Sequence, residues 1–111
     1  MAPSRVPLPL KAKLFRGLGD SSRLAILEAL RGGARSVGEV AARTGLGQPN
    51  ASMHLDCLWC CGLVERETRG RFTYYRIKGA KVERILASAE RLLEDVRGHI
   101  EECSNYREKR A

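Results

Sequence analysis

Apolar residues recur at helical spacing along most of this chain and begin to alternate only between residues 63 and 77. Lys11 to Leu18 mixes basic and apolar residues and predicts a short helix with Leu14, Phe15 and Leu18 on one face. Asp20 is an N-cap candidate for a second helix, Ser21 to Leu30, with Leu24, Ile26, Leu27 and Leu30 as its apolar face and Arg31-Gly32-Gly33 as its stop. Ser36, followed three residues later by Glu39, has the capping-box pattern. It predicts a helix from Val37 to Thr44 that buries Val37, Val40 and Ala41 and ends at Gly45. Leu46-Gly47 then turns the chain into Gln48 to Val64, with Pro49 tolerated in the first turn. Two short helices joined by a tight glycine turn form a helix-turn-helix pattern.

Beyond Gly62 the period changes. Leu63 to Arg69 and Arg71 to Ile77 are rich in β-branched and aromatic residues around Gly70, which predicts a β-hairpin with Arg69 and Arg71 at its tip. From Ala80 to Cys103 the helical period returns through Val82, Ile85, Leu86, Ala89, Leu92, Leu93, Val96 and Ile100. A helix of about 24 residues spans roughly 36 Å, longer than so small a domain needs, so part of its stripe is expected to pack on a second copy. The order defines a mainly α protein with a small β-hairpin wing: a winged helix-turn-helix that dimerises through terminal helices. Residues 1–9, broken by Pro3, Pro7 and Pro9, read as a flexible leader; residues 10–103 as the domain with its dimerisation helix; residues 104–111 as a polar tail.

At 111 residues the chain is one domain by size, and pairing would add to its modest core. The N-terminus lacks the apolar run of a signal peptide, and no stretch is long enough for a membrane span. The expectation is a soluble cytoplasmic protein whose thiols stay reduced. A formal charge of +7 points to a polyanion, with nucleic acid the leading partner. For double-stranded DNA, the first residues of the second helix should enter the major groove, where Gln48, Asn50 and Ser52 can read base edges or phosphate. His54 is expected to bond locally or touch phosphate. Arg43, Arg66, Arg69 and Arg71 are candidate phosphate contacts.

The cysteines change the picture most. Three of the four, Cys57, Cys60 and Cys61, crowd the end of the helix that would read DNA. On a helical wheel Ala51, Leu55, Leu58 and Gly62 cluster within about 60°, while Cys57, Cys60 and Cys61 lie roughly 130°, 170° and 90° from that face. They are therefore not ordinary core thiols. Cys57 and Cys61, at i and i+4, stack on one side and can grip one soft metal ion. Cys103, at the far end of the last helix, could supply a third thiolate from a second copy, with Cys60, His99 or Glu102 as a further ligand for tetrahedral geometry. Cys57-Leu-Trp-Cys60 is a C-x-x-C, but it stands near a helix C-terminus rather than an N-terminus, against a disulfide oxidoreductase. No second pair completes a zinc knuckle.

With these elements in place, the chain resembles the ArsR/SmtB family of metal-sensing repressors over roughly Leu10 to Cys103. The resemblance rests on Leu18-Gly-Asp-Ser-Ser-Arg-Leu-Ala-Ile-Leu27, Gly45-Leu-Gly-Gln-Pro-Asn-Ala-Ser-Met-His-Leu55, Gly62-Leu-Val64 and Gly70-Arg-Phe-Thr-Tyr-Tyr-Arg76. It implies a homodimer, not an enzyme, that holds operator DNA when metal-free and releases it when metal binds. Ser36 to Val40 contains no cysteine where arsenic sensors of the family place theirs, and Leu86 and Ser88 replace the Asp-x-His of the zinc type. Leu55-Asp-Cys-Leu-Trp-Cys-Cys-Gly-Leu63 is similar to the cadmium- and lead-sensing branch, which implies Cys57, Cys61 and the partner copy's Cys103 as ligands and Cys60 as an extra thiol. Cadmium or lead is the implied effector, with zinc, mercury or arsenite in the same chemical range. A thiol redox or persulfide switch in the same frame is the alternative.

Overall fold

The computed structural model describes residues 4–103. Residues through Lys78 make one compact unit and those from Gly79 a second. In the first, helices α1 (Leu8–Gly19), α2 (Ser21–Leu30), α3 (Val37–Thr44) and α4 (Gln48–Cys60) accompany strands β1 (Arg35–Ser36), β2 (Val64–Arg69) and β3 (Phe72–Ile77). The second contains α5 (Lys81–Glu102). The fold is mainly helical with a winged helix-turn-helix order, as the spacing predicts.

Local chemistry accounts for the boundaries. Asp20 caps α2 by accepting the Arg23 backbone N–H, and Ser36 with Glu39 forms the full capping box of α3. α1 begins earlier than the apolar spacing predicts, at Leu8, because Pro7 and Pro9 occupy its N-cap and first turn, where a missing N–H costs nothing. Residues 8 and 9 of the expected leader are thus helical; residues 1–3 and the tail 104–111 lie outside the described residues. α4 stops at Cys60 rather than running to Val64: Gly62 adopts φ +78°, a left-handed turn that redirects the chain into β2.

β2 and β3 pair antiparallel from Val64↔Ile77 to Arg69↔Phe72. Gly70 and Arg71 form the two-residue connection, and Gly70 supplies a positive φ of +61° at its first position, as a type II′ turn requires. The two-residue strand β1 adds Arg35↔Tyr75 and Ser36↔Tyr74 on the other side of β3, a pairing the sequence pattern does not reveal.

Ile26, Leu27 and Leu30 of α2, Val40 of α3, Ala51, Leu55 and Leu58 of α4, and Val64 of β2 are almost fully buried, with Leu18 and Tyr75 beside them in the core set. Each large aliphatic side chain so buried stabilises the fold by about 1.5–3 kcal/mol before conformational entropy is counted. Leu24, expected on the apolar face of α2, is 37% exposed. The reason is angular: it points about 115° from the centre of the Ile26–Leu27–Leu30 face. The core-facing side of α4 is the one the wheel predicts, and it fixes which residues of that helix face outward.

In the second unit Val82 and Leu86 are buried, whereas Leu92 and Leu93 farther along α5 are exposed. On α1, Leu8, Leu10 and Phe15 are exposed as well. No helix among the described residues is long and apolar enough to cross a membrane.

Candidate nucleic-acid interface and thiol pair

α4 carries both candidate chemistries, one at each end. Its N-cap is Gly47, which offers no side chain, so the first-turn amides have no side-chain cap. Free amides at a helix start attract phosphate. Gln48 and Asn50 are exposed there; Ser52 and His54 are half-buried. His54 adds to the field that holds the Asp20 carboxyl below its ordinary range, behind the backbone hydrogen bond from Arg23 and the Arg23 charge. Its neighbour is thus the start of α2. Arg43 is exposed in the last turn of α3.

The wing arginines are not equivalent. Arg71, in the turn, is exposed and makes no ion pair among the described residues. Arg69 is 3.3 Å from Glu67 and lies over the Tyr74 ring. Arg66, expected as a phosphate contact, instead turns back to α4: its Nη1 is 3.4 Å from Asp56 Oδ1, and its guanidinium lies 3.6 Å from the centroid of the Trp59 ring. An oxyanion already on the protein satisfies it.

At the other end of α4, Cys60 and Cys61 are exposed and Cys57 is half-buried, with the core side taken by Leu55 and Leu58. The off-core placement inferred from the helical wheel holds for all three. Arg23 Nη1 donates to Cys57 Sγ at 3.4 Å, while the Arg23 Nε is buried without a partner. Although Cys61 as a residue is exposed, the surroundings of its sulfur push the thiol above its ordinary value of 9.0. Loss of solvation is the main cause and Cys57 beside it the next; Lys13 and Arg23 pull the other way. Cys60 and Cys61 also line an open groove of about 340 Å³ with Leu10, Lys13, Leu14, Gly17 and Leu63.

Two adjacent thiols on one helical turn suit a soft, thiophilic ion. Among the described residues no three His, Cys, Asp or Glu side chains of one chain gather around a common point, so the pair alone offers two ligands. Cys103, directly after α5, is half-buried in the second unit; His99 and Glu102 of α5 are exposed. The C-x-x-C of Cys57 and Cys60 occupies the last turn of α4, away from any helix N-terminus that would activate a redox thiol.

Asp56, Trp59, Tyr75 and Arg23 all take part in this region and are not among the residues the sequence singles out. Only Asp56 and Trp59 have a visible signal, since both fall off the apolar face of α4.

The helix order, the antiparallel wing and the exposed start of α4 define a winged helix-turn-helix protein. Residues 20–66 match the family model described as "Bacterial regulatory protein, arsR family". The chain is 31% identical over 93 residues, 84% of its length and 74% of the relative's, to a probable mercury resistance operon repressor of Streptomyces lividans. It belongs to the arsR family of bacterial regulatory proteins. It is also 41% identical over 75 residues, 68% of its length and 64% of the relative's, to the transcriptional regulator CmtR of Mycobacterium tuberculosis. Among solved structures, the fold is similar to Mycobacterium tuberculosis Rv0081, with a TM-score of 0.78 and 34% identity over 85% of this chain and 96% of that one. A homodimeric winged helix-turn-helix DNA-binding domain of Mycobacterium bovis, 35% identical over 83% of this chain and 85% of its own, gives a TM-score of 0.73.

Proposed function

We propose that this chain is a homodimeric, cytoplasmic repressor that releases operator DNA when a soft thiophilic ion binds Cys57 and Cys61 together with Cys103 of the second copy. Cadmium or lead is the preferred ion; zinc, mercury and arsenite share the chemistry. The observation that carries this reading is the adjacent pair Cys57 and Cys61, held off the core at the end of the helix whose first turn presents Gln48 and Asn50. One helix thus serves both ligands. The apolar residues exposed on α1 and α5 favour a second copy, as does the homodimeric Mycobacterium bovis relative.

DNA is held through Gln48, Asn50, Ser52 and His54 in the major groove, with Arg43, Arg69 and Arg71 on phosphate and Arg66 available once it leaves Asp56. Metal and DNA weaken each other by linkage, because the ion prefers the conformation that binds DNA poorly.

The test is a cadmium titration followed by ultraviolet thiolate charge-transfer absorption, with operator binding read in parallel by fluorescence anisotropy. Cys57→Ser and Cys61→Ser are expected to keep operator binding and lose metal-induced release. Normal release in both variants sinks the reading. A thiol redox switch is the second reading, favoured by the joint exposure of Cys60 and Cys61. Release of DNA by peroxide or persulfide in metal-free buffer would support it.

A further inference from the structure

Four side chains left out of the metal reading meet where the wing joins α4. Asp56 Oδ1 accepts a hydrogen bond from the Tyr75 hydroxyl at 3.0 Å and from Arg66 Nη1 at 3.4 Å. The Arg66 guanidinium lies over the Trp59 ring. Arg66 on β2 and Tyr75 on β3 are cross-strand partners, so their side chains emerge on one face of the hairpin. A single carboxylate on α4 therefore holds both strands of the wing. Tyr75 is 3% exposed, which makes its hydroxyl the better fixed of the two donors. Burial, and then Asp56, raise the pKa of that hydroxyl, so it remains a donor through the physiological range.

We propose that Asp56 is a positioning residue that fixes the wing to α4 and passes the state of the neighbouring Cys57 to the arginines of the wing. The second half of the proposal rests on the metal-responsive reading above. Asp56 and Cys57 are consecutive in the same helical turn, so a ligand that draws on the Cys57 sulfur displaces the Asp56 carboxylate with it. Hydrogen bonds weaken steeply with distance and angle, and a shift of about 1 Å is enough to break the Tyr75 contact. Arg66 also has an alternative partner of the same kind, since a DNA phosphate is an oxyanion like the carboxylate that now holds it. Loosening the clamp changes both where the wing stands and which anion Arg66 holds.

Tyr75→Phe tests this with the least disturbance, because it deletes the hydroxyl and keeps the ring in the core. Asp56→Asn, which keeps an acceptor but removes the charge, is the second variant should the first fail to fold. The full chain is used, with cadmium as probe. Three quantities are measured: cadmium uptake by charge-transfer absorption, operator affinity with and without cadmium, and amide hydrogen exchange across residues 64–77 without metal. In Tyr75→Phe, uptake is expected to be unchanged and exchange in the wing about tenfold faster or more. The cadmium-induced loss of operator affinity is expected to shrink at least about fivefold relative to the unmodified protein. Uptake at the thiols with a cadmium response within about twofold of the unmodified protein overturns the relay. Absence of any cadmium effect on operator binding in the unmodified protein overturns the metal reading and the relay together. The positioning role is then decided by exchange alone, and unchanged protection of the wing in both variants overturns it.

Discussion

The Arg23 guanidinium, at the first turn of α2, donates a hydrogen bond to the Cys57 sulfur of α4 at 3.4 Å. The contact joins two helices through a side chain that is otherwise short of partners, since its Nε is buried and unbonded. Serine at position 57 keeps an acceptor for Arg23; alanine leaves a second guanidinium nitrogen without one. Cys57→Ala is therefore expected to be less stable than Cys57→Ser by about 1 kcal/mol, toward the low end for a lost partner because the Arg23 side chain keeps some contact with water. Thermal melts of the two variants check this, and equal melting temperatures would show that the Arg23 contact does not contribute to stability. Neither variant is expected to respond to metal.

Asp20 caps α2 by accepting the Arg23 backbone N–H at 3.0 Å. That bond is the main reason its carboxyl lies below its ordinary value of 3.8, with the Arg23 and His54 charges adding to it. A depressed carboxyl pKa stabilises the folded state above the unfolded value and stops doing so as pH falls through the folded one. Asp20→Ala is expected to lose about 1 kcal/mol at neutral pH, and Asp20→Asn, itself a good cap, much less. The gap between the unmodified protein and Asp20→Asn should narrow as the pH drops below 3.8. Chemical denaturation at a series of pH values measures it; a gap independent of pH would mean that the charge contributes nothing.

Metal capture should depend on pH in the opposite sense from protonation of Cys61. The Cys61 thiol is raised above 9.0 by loss of solvation and by Cys57, so it carries its proton at neutral pH and must give it up to bind an ion. Apparent cadmium affinity is expected to rise with pH between about 6 and 8, by up to tenfold per unit for each proton released. Cys61→Ser should lower that slope by about one proton. Competition with a chelator of known affinity gives the slope, and a flat profile in the unmodified protein would exclude Cys61 as a thiolate ligand.

Much of this arrangement is legible in the pattern of residues. Asp20, Ser36 and Glu39 announce their helices because capping is local, and Ala51, Leu55 and Leu58 settle which side of α4 faces the core. Once that side is fixed, Cys57, Cys60 and Cys61 have to lie off it. Contacts across long stretches of chain leave no such trace. Arg23 and Cys57 are 34 residues apart, and Tyr75 is 19 from Asp56. Strand β1 is only Arg35 and Ser36, too short for alternation to show, and exists because β3 offers it an edge. Arg66 displays its charge in the sequence but not its partner, ten residues back on the preceding helix.

That distinction among the arginines leads to a prediction for DNA binding. Each phosphate neutralised by an arginine releases counterions, and its loss flattens the dependence of log affinity on log salt by about 0.9. Arg71 is exposed at the hairpin turn with no ion pair among the described residues, so nothing on the protein competes with phosphate for it. Arg66 must first leave Asp56 and the Trp59 ring, and when it does an unpaired carboxylate remains near the duplex. The net electrostatic gain from Arg66 is then small, whereas that from Arg71 is complete. Arg71→Ala is expected to reduce the salt slope of operator binding by about one, and Arg66→Ala by clearly less. Adding Asp56→Asn to the unmodified protein should free Arg66 and steepen the slope, and Arg66→Ala in that background should cancel the increase. Anisotropy titrations over a range of salt concentrations measure all four proteins. Equal losses of slope in Arg66→Ala and Arg71→Ala would show that Arg66 is already on phosphate in the complex and that its contact with Asp56 does not persist there.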